Sequence, residues 1–466
     1  MWNKISCADS RFFGKTDAQT IQNAIDYAEQ MGLGEVVIPR VNARTAEKIW
    51  NIDTCILLPS DMTVILENCH LRMVDDIIAN MFRNKNAWTP EGNTLEGEQH
   101  NIRIIGQGNA VIDGGKPSCL CEQMHRDFPD EYPSMQVNLL LFLHNVRDFE
   151  VRNIRFTNSR WWATCFMYCR WGKISDLDFQ MDAAIENQDG IDLRIGCEYI
   201  TIQNITGITG DDVIAMTALP NEYGFEDKLH VEGKEFDIHD ITIQNVMAAS
   251  HGCGIIRFLC EEGAKEYNIT VDGVKDTGEV TAGSSVIVGT TDTHFADPPH
   301  AMGDFTNIVL RNISTCAQRG ISLAESIQNM VIENLFVYGY SEVGIRFSQN
   351  FECRNLTIRD VYLYAEEETF DSAFETKGVQ DGIIENLTIE NVCIGSTKCV
   401  FRGKQYDVKN LNYEEPSIGF FTEEPLKLAS AYGRYHYKAY GKVIANRPKD
   451  NRFDGTLRRG FKNRFL

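Results

Sequence analysis

Two acidic clusters, Asp189 with Asp192 and Asp211 with Asp212, stand close together in the stretch 187–216, NQDGIDLRIGCEYITIQNITGITGDDVIAM. Each adjoins a glycine, Gly190 or Gly210, and runs into an apolar segment, IDLRI or VIAM. Between them YITIQNIT alternates apolar and polar residues, the pattern of a half-buried strand. If successive strands stack in register, the clusters fall on neighbouring rungs and their carboxylates converge on one surface. Crowded carboxylates repel one another, a cost that a purely structural role does not offset. Acid–base chemistry uses that repulsion, because two close carboxyl groups resist double ionisation and retain a proton at neutral pH. Cleaving a glycosidic bond needs this combination. One protonated carboxyl serves the leaving oxygen, and one carboxylate activates water or attacks directly. Spacing by itself does not choose between inversion and retention.

The ordered set Asn187-Gln188-Asp189-Gly190-Ile191-Asp192, then Gly210-Asp211-Asp212-Val213-Ile214-Ala215, then Ser250-His251-Gly252 resembles glycoside hydrolase family 28, the polygalacturonases and their relatives. In that family N-x-D-G-x-D, G-D-D and G-H-G stretches follow one another on successive coils. The resemblance runs from about residue 10 to about residue 410. It implies an all-β fold, a single-stranded right-handed parallel β-helix (a solenoid) with an N-terminal capping helix. It also implies roles: Asp211 as general acid, and Asp189 and Asp212 holding the nucleophilic water, with inversion of configuration. His251 would lie beside the acid, and Asn187 and Asp192 would contact substrate. Asp192 reads equally well as a turn-stabilising carboxylate. No metal and no cofactor is implied.

One departure bears on the substrate. Polygalacturonases carry an R-x-K triplet one coil after the G-H-G stretch, which binds the substrate carboxylate by charge-assisted contacts. The corresponding place here is Ser285-Val286-Ile287-Val288-Gly289-Thr290, where Ile287 and Gly289 replace the two cations. Arg257, in GIIRFL, and Arg346, in GIRFSQ, are the candidate substitutes, and Arg194 lies on the first acidic rung. Trp161 and Trp162, just upstream of the acids, offer either a sugar-stacking platform or core packing.

Elements able to position these residues are legible along the chain. Residues 16–33 read as an amphipathic helix, capped by Thr16 or Asp17, with Ile21, Ala24, Ile25 and Ala28 on one face. Such a helix would cover the apolar core and strand edges of a first coil. From about residue 100 two strand series interleave. Phrases such as FEVRNIRF, ITIQNV, NIVLRNI and LTIENV alternate with GIDLRI, GIIRFL, GISLAE and GIRFSQ. That is the signature of coils contributing strands to separate parallel sheets. Asn153, Asn204, Asn245, Asn312, Asn334 and Asn391 recur at unit ends, where a tight left-handed bend suits asparagine.

Composition narrows the partners. The 466-residue chain carries a net charge of −21, which excludes nucleic acid as the expected partner. No apolar run is long enough to span a bilayer. The opening MWNKISCADSRFF lacks a basic region followed by an apolar one, so a cytoplasmic location is expected. The 14 cysteines are scattered, many within apolar strands, and read as reduced packing residues. Neither Cys119-Leu120-Cys121 nor Cys165 with Cys169 has a partner pair at zinc spacing. We expect a β-helix domain over residues 1–410 and a basic, aromatic tail over 411–466. Its last forty residues, 427–466, hold eleven Lys/Arg against Asp450 and Asp454. The tail is expected to lie on the acidic body of its own chain or of a neighbouring subunit in a homo-oligomer.

The expected function is an inverting glycoside hydrolase acting, from chain ends, on pectin-related or other short oligosaccharides. A β-helix lyase or epimerase on uronic acids is the alternative, and would need a basic residue beside a carboxylate-neutralising cation. A non-catalytic carbohydrate-binding β-helix is the third reading, against which the retained Asp189, Asp211 and Asp212 argue.

Overall fold

Helix Asp17–Gln30 starts where the sequence places its cap. Thr16 is extended, and its hydroxyl accepts from the Gln19 N–H at 3.2 Å. Ala18, Ile21, Ala24, Ile25 and Ala28 are buried, so the apolar stripe faces the first strands. Polar side chains of the same helix pair with strand backbone: Asp17 accepts from Asn51 N at 2.7 Å, and Gln22 accepts from Leu57 N at 2.8 Å. A helix that satisfies otherwise open strand groups in this way is a lid on the solenoid. The computed structural model describes residues 4–413 apart from 76, 117–137, 184, 186, 221–227, 262, 291–300, 340, 349, 365–370, 380–381 and 396–399.

The chain folds as a right-handed parallel β-helix and divides into two compact units. The first comprises 1–182, 186–207 and 219–236; the second comprises 183–185, 208–218 and 237–466. Strand Glu198–Thr209 passes from one to the other. Strand Val408–Tyr413 runs through the expected boundary at 410, and the basic part of the tail lies outside the described residues, as do Cys119 and Cys121. Eleven described cysteines are free thiols, eight of them buried. Among the described residues no helix is long and apolar enough to cross a membrane.

In the first unit, short strands Leu141–His144, Thr164–Met167 and Ile191–Arg194 lie parallel, with Phe142 opposite Cys165 and Cys165 opposite Asp192. Phe149 and Phe166 stack inside at 5.0 Å between ring centres, as do Phe156 and Phe179 at 5.7 Å. His144 is fully buried, and its Nε2 lies 2.7 Å from the Leu229 carbonyl, which ties the segment around Leu229 to the sheet. Burial lowers its pKa from the ordinary 6.5 to about 4, with Lys234 adding to the effect and the Leu229 bond opposing it. The imidazole is therefore neutral in the fold and donates through Nε2. Between pH 6.5 and about 4 the unfolded chain binds a proton that the folded chain does not. Stability from this site is thus fully present above 6.5 and lost as pH falls to 4, to the extent of about 3 kcal/mol. Urea unfolding of wild type and His144→Gln at pH 7 and pH 4.5 should show a smaller acid loss in the variant. Equal losses would contradict this assignment.

The second unit repeats one coil. Long strands Ile238–Ser250, Glu266–Asp276, Phe305–Thr315, Ser326–Tyr338, Glu352–Tyr364 and Ile384–Ile394 pair in parallel. Short strands Ile214–Ala218, Gly254–Cys260, Ser284–Val288, Arg319–Leu323, Val343–Phe347 and Ser372–Thr376 form a second parallel series. The recurring asparagines make left-handed bends as expected, but within the long strands rather than at their ends. Asn245, Asn312, Asn334 and Asn391 all have φ between 52° and 57°. Their amides ladder from rung to rung: Asn334 donates to Asn312 at 2.7 Å and Asn312 to Asp272 at 2.6 Å. A second ladder, unmarked in the sequence reading, runs Asn386, Asn355, Asn329, Asn307, Asn268 at 2.8–3.3 Å. These ladders fix the rung register, and register fixes which side chains share the outer face.

Candidate active site

The first acidic cluster enters strand Ile191–Arg194 through a bend at Asn187, whose φ is 59°. Gln188 pins the bend, accepting from Asp182 N at 2.8 Å through its own Oε1 and donating to the Ser159 carbonyl. Asp189 is 4% exposed and Asp192 1%. The backbone carbonyl of Asp189 accepts from Ala163 N at 3.0 Å, and Gly190 O accepts from both Thr164 N and Thr164 Oγ1. Asp192 thus sits within a paired strand, not at a turn. Trp161 and Trp162 pack with Leu139, Phe142, Cys165 and Met167 in a buried cluster. The Arg194 guanidinium lies 4.9 Å from the Trp162 ring centre. Trp162 is therefore a packing residue beneath Arg194, and its ring offers no open platform for a sugar. Tandem tryptophans have no periodicity that separates the two cases in sequence.

The second cluster is held in the second unit by a dense set of short contacts. Thr209 Oγ1 and Ser250 Oγ both donate to the Asp211 backbone carbonyl, at 2.6 and 2.8 Å. Asp212 N donates to Asp211 Oδ1 at 3.0 Å, so the two side chains are set by a common turn. Asp212 is nearly buried, and both its oxygens accept. Gly254 N approaches Oδ1 at 2.7 Å and Arg257 Nε approaches Oδ2 at 3.2 Å. A Cβ at residue 254 would meet Oδ1 at 3.0 Å, which is why a glycine stands there. His251 directs Nδ1 at the Ala183 carbonyl, fixing the ring beside the apolar group Ala183, Ile208, Ala249 and Val280. The structure thus gathers Asp211, Asp212, Ser250, His251 and Arg257 on and beside neighbouring strands of one unit, and places Asn187, Asp189 and Asp192 together in the other.

Cys253 is the member that sequence reasoning passed over. Its Sγ and a carboxylate oxygen from each of Asp211 and Asp212 lie within 4.8 Å of one another, and Arg257 Nη2 is 3.7 Å from the sulfur. Burial, reinforced by the two carboxylates and opposed by Arg257, pushes the thiol well above its usual range, so it remains S–H. Arg257 is held charged. Burial works against its guanidinium, but the neighbouring Asp212 and Asp211 outweigh it and raise its pKa. These three ligand atoms are close enough to hold a cation, which would have to share the space with a guanidinium already present. The only sequence signal for Cys253 was its place two residues after His251.

Arg257 and Arg346, the expected substitutes for the missing triplet, both have partners of their own. Arg257 pairs with Asp212, and Arg346 Nε with Glu375 Oε2 at 2.5 Å. The structure also explains Gly289. Its φ is 74°, and a Cβ there would lie 2.0 Å from Glu325 Cγ, so no side chain fits and a buried carboxylate side chain fills the space.

Residues 60–233 match the sequence model of the glycosyl hydrolases family 28. No curated protein sequence matches the chain. Among solved structures, the A-module of mannuronan C-5 epimerase AlgE4 from Azotobacter vinelandii is similar at a TM-score of 0.54 and 12% identity. The match covers 86% of this chain and 98% of that one. An exopolygalacturonase from Thermotoga maritima is similar at 0.48 and 14%, covering 87% and 93%. The family 28 exopolygalacturonase of Yersinia enterocolitica follows at 0.46 and 14%, covering 88% and 78%. At such identities the likeness to the epimerase module is one of fold alone.

Proposed function

We propose, taking as premise that residues 60–233 carry the pattern of glycosyl hydrolases family 28, that this protein hydrolyses O-glycosidic bonds of pectin-type or related short oligosaccharides by acid/base catalysis with inversion. The observation that carries the reading is the asymmetry of the Asp211/Asp212 pair. Both oxygens of Asp212 already accept hydrogen bonds, from a backbone N–H and a guanidinium. Asp212 is therefore assigned the acceptor role, and Asp211, by the family pattern, carries the proton as general acid. Asp211 is the more exposed of the two and can give that proton to the leaving oxygen. Asp212 is the base that holds the attacking water. His251, whose ring is oriented by the Ala183 carbonyl, stands two residues before Cys253 of the same cluster.

The chemistry requires only these groups. Activity should survive prolonged EDTA treatment, since carboxylates suffice for this hydrolysis. A loss that added calcium restores would favour a lyase or epimerase. Incubating the enzyme with nitrophenyl glycosides and pectic oligosaccharides, and weighing the products, tests the reading as a whole. Hydrolysis adds one water to the sum of the fragments, whereas elimination adds none and leaves an ultraviolet-absorbing double bond.

A further inference from the structure

Beyond Arg257 the outer face of the second unit carries a single register row. Arg257 lies opposite Ile287, Ile287 opposite Ser322, Ser322 opposite Arg346, Arg346 opposite Glu375, and Glu375 opposite Arg402. The neighbours on either side of the first four, Ile256 and Phe258, Val286 and Val288, Ile321 and Leu323, and Ile345 and Phe347, are wholly buried, so this row points outward. At about 4.8 Å per strand, it leads away from the acid pair over the length of several sugar rings.

The charges of this row are balanced from within. Arg257 is paired with Asp212 at 3.2 Å, and Arg346 with Glu375. Arg402 reaches Glu375 at 3.2 Å and Asp371 at 3.1 Å. Between the first two arginines stand an isoleucine and a serine, Ile287 and Ser322. Beside Ile287 on the same strand end, Gly289 is closed to any side chain by Glu325, a further carboxylate. An anionic sugar entering here would find each described arginine of the row already neutralised. It would have to break an existing pair or remain uncompensated in a partly dry groove. An uncharged ring meets no such cost, and Ile287 gives it an apolar contact.

We infer that the sugar bound along this row, next to the acid pair, is neutral, and that Ile287, Glu375 and the Gly289–Glu325 contact set that preference. The inference rests on the hydrolase reading above and deepens it. The test compares kcat/KM on nitrophenyl glycosides of neutral sugars (galactose, rhamnose, xylose, arabinose, fucose) with those of galacturonic and glucuronic acid. The best neutral glycoside should exceed both uronides by at least ~10²-fold, the scale of leaving one charge uncompensated in a desolvated site. Ile287→Arg, which adds an unbalanced cation to the row, should narrow that ratio about tenfold. Glu375→Gln, which releases Arg346 while Arg402 keeps Asp371, should do the same if the first variant fails to fold. Uronides cleaved as fast as or faster than every neutral glycoside would overturn the inference and leave the hydrolase reading standing. Cleavage of none of them would overturn the hydrolase reading and the inference with it.

Discussion

Replacing Asp211 by Asn should lower kcat by at least ~10²-fold, since a positioned general acid contributes about 10²–10⁴ to such reactions. The amide keeps the shape of the carboxyl. It can still accept the Asp212 N–H bond at Oδ1, so the local turn should persist. The backbone contacts from Thr209 and Ser250 use the Asp211 carbonyl and are untouched. Activity should therefore fall with little change in thermal midpoint or in KM, which marks a group that acts in the transition state. A substrate with a nitrophenolate leaving group needs less protonation and should lose less than an oligosaccharide. If Asp211→Asn retains more than a tenth of wild-type turnover on an oligosaccharide, Asp211 is not the acid.

Arg257→Leu should be the most destabilising single change in the site, by about 3–5 kcal/mol, because it leaves Asp212 nearly buried without its guanidinium. The loss should be electrostatic rather than steric. Combining it with Asp212→Asn, which removes the stranded charge, should restore most of the thermal stability while activity stays lost. Arg257→Lys keeps the charge but not the planar Nε donor, and should fall between. A thermal midpoint for Arg257→Leu equal to that of wild type would show that Arg257 does not hold Asp212, and the assignment of the pair's proton would lose its basis.

Much of this architecture was legible in the sequence because it rests on short-range rules. The capping helix follows from Thr16 and its apolar stripe, and the bends follow from asparagines that tolerate left-handed backbone. The placement of the acidic clusters was legible as well, since they recur beside glycines just before or within short strands. Register was not legible. Ser322 follows Ile287 and Arg346 follows Ser322 at unequal chain intervals, because the loops between rungs differ in length, so counting residues does not reveal that Arg346 faces Glu375. For the same reason Arg257 read as a substrate contact, whereas three-dimensional pairing makes it the partner of Asp212. Cys253 was passed over because a lone cysteine in an apolar strand is ordinarily packing, and only the fold puts its sulfur between two carboxylates and a guanidinium. Trp162 stayed open between platform and packing, since burial beneath Arg194 depends on a strand that sequence cannot align with it.

The central claim is that Asp211 protonates the leaving oxygen while Asp212 directs a water molecule at the glycosidic bond, in place of a base-driven elimination. The most direct measurement is product analysis after reaction in ¹⁸O-labelled water, with proton NMR taken during the first turnovers. The account predicts one ¹⁸O at the new reducing end, with the anomeric configuration opposite to that of the cleaved bond, in wild type and not in Asp211→Asn. An unsaturated product without ¹⁸O, or a labelled product of retained configuration, would contradict it.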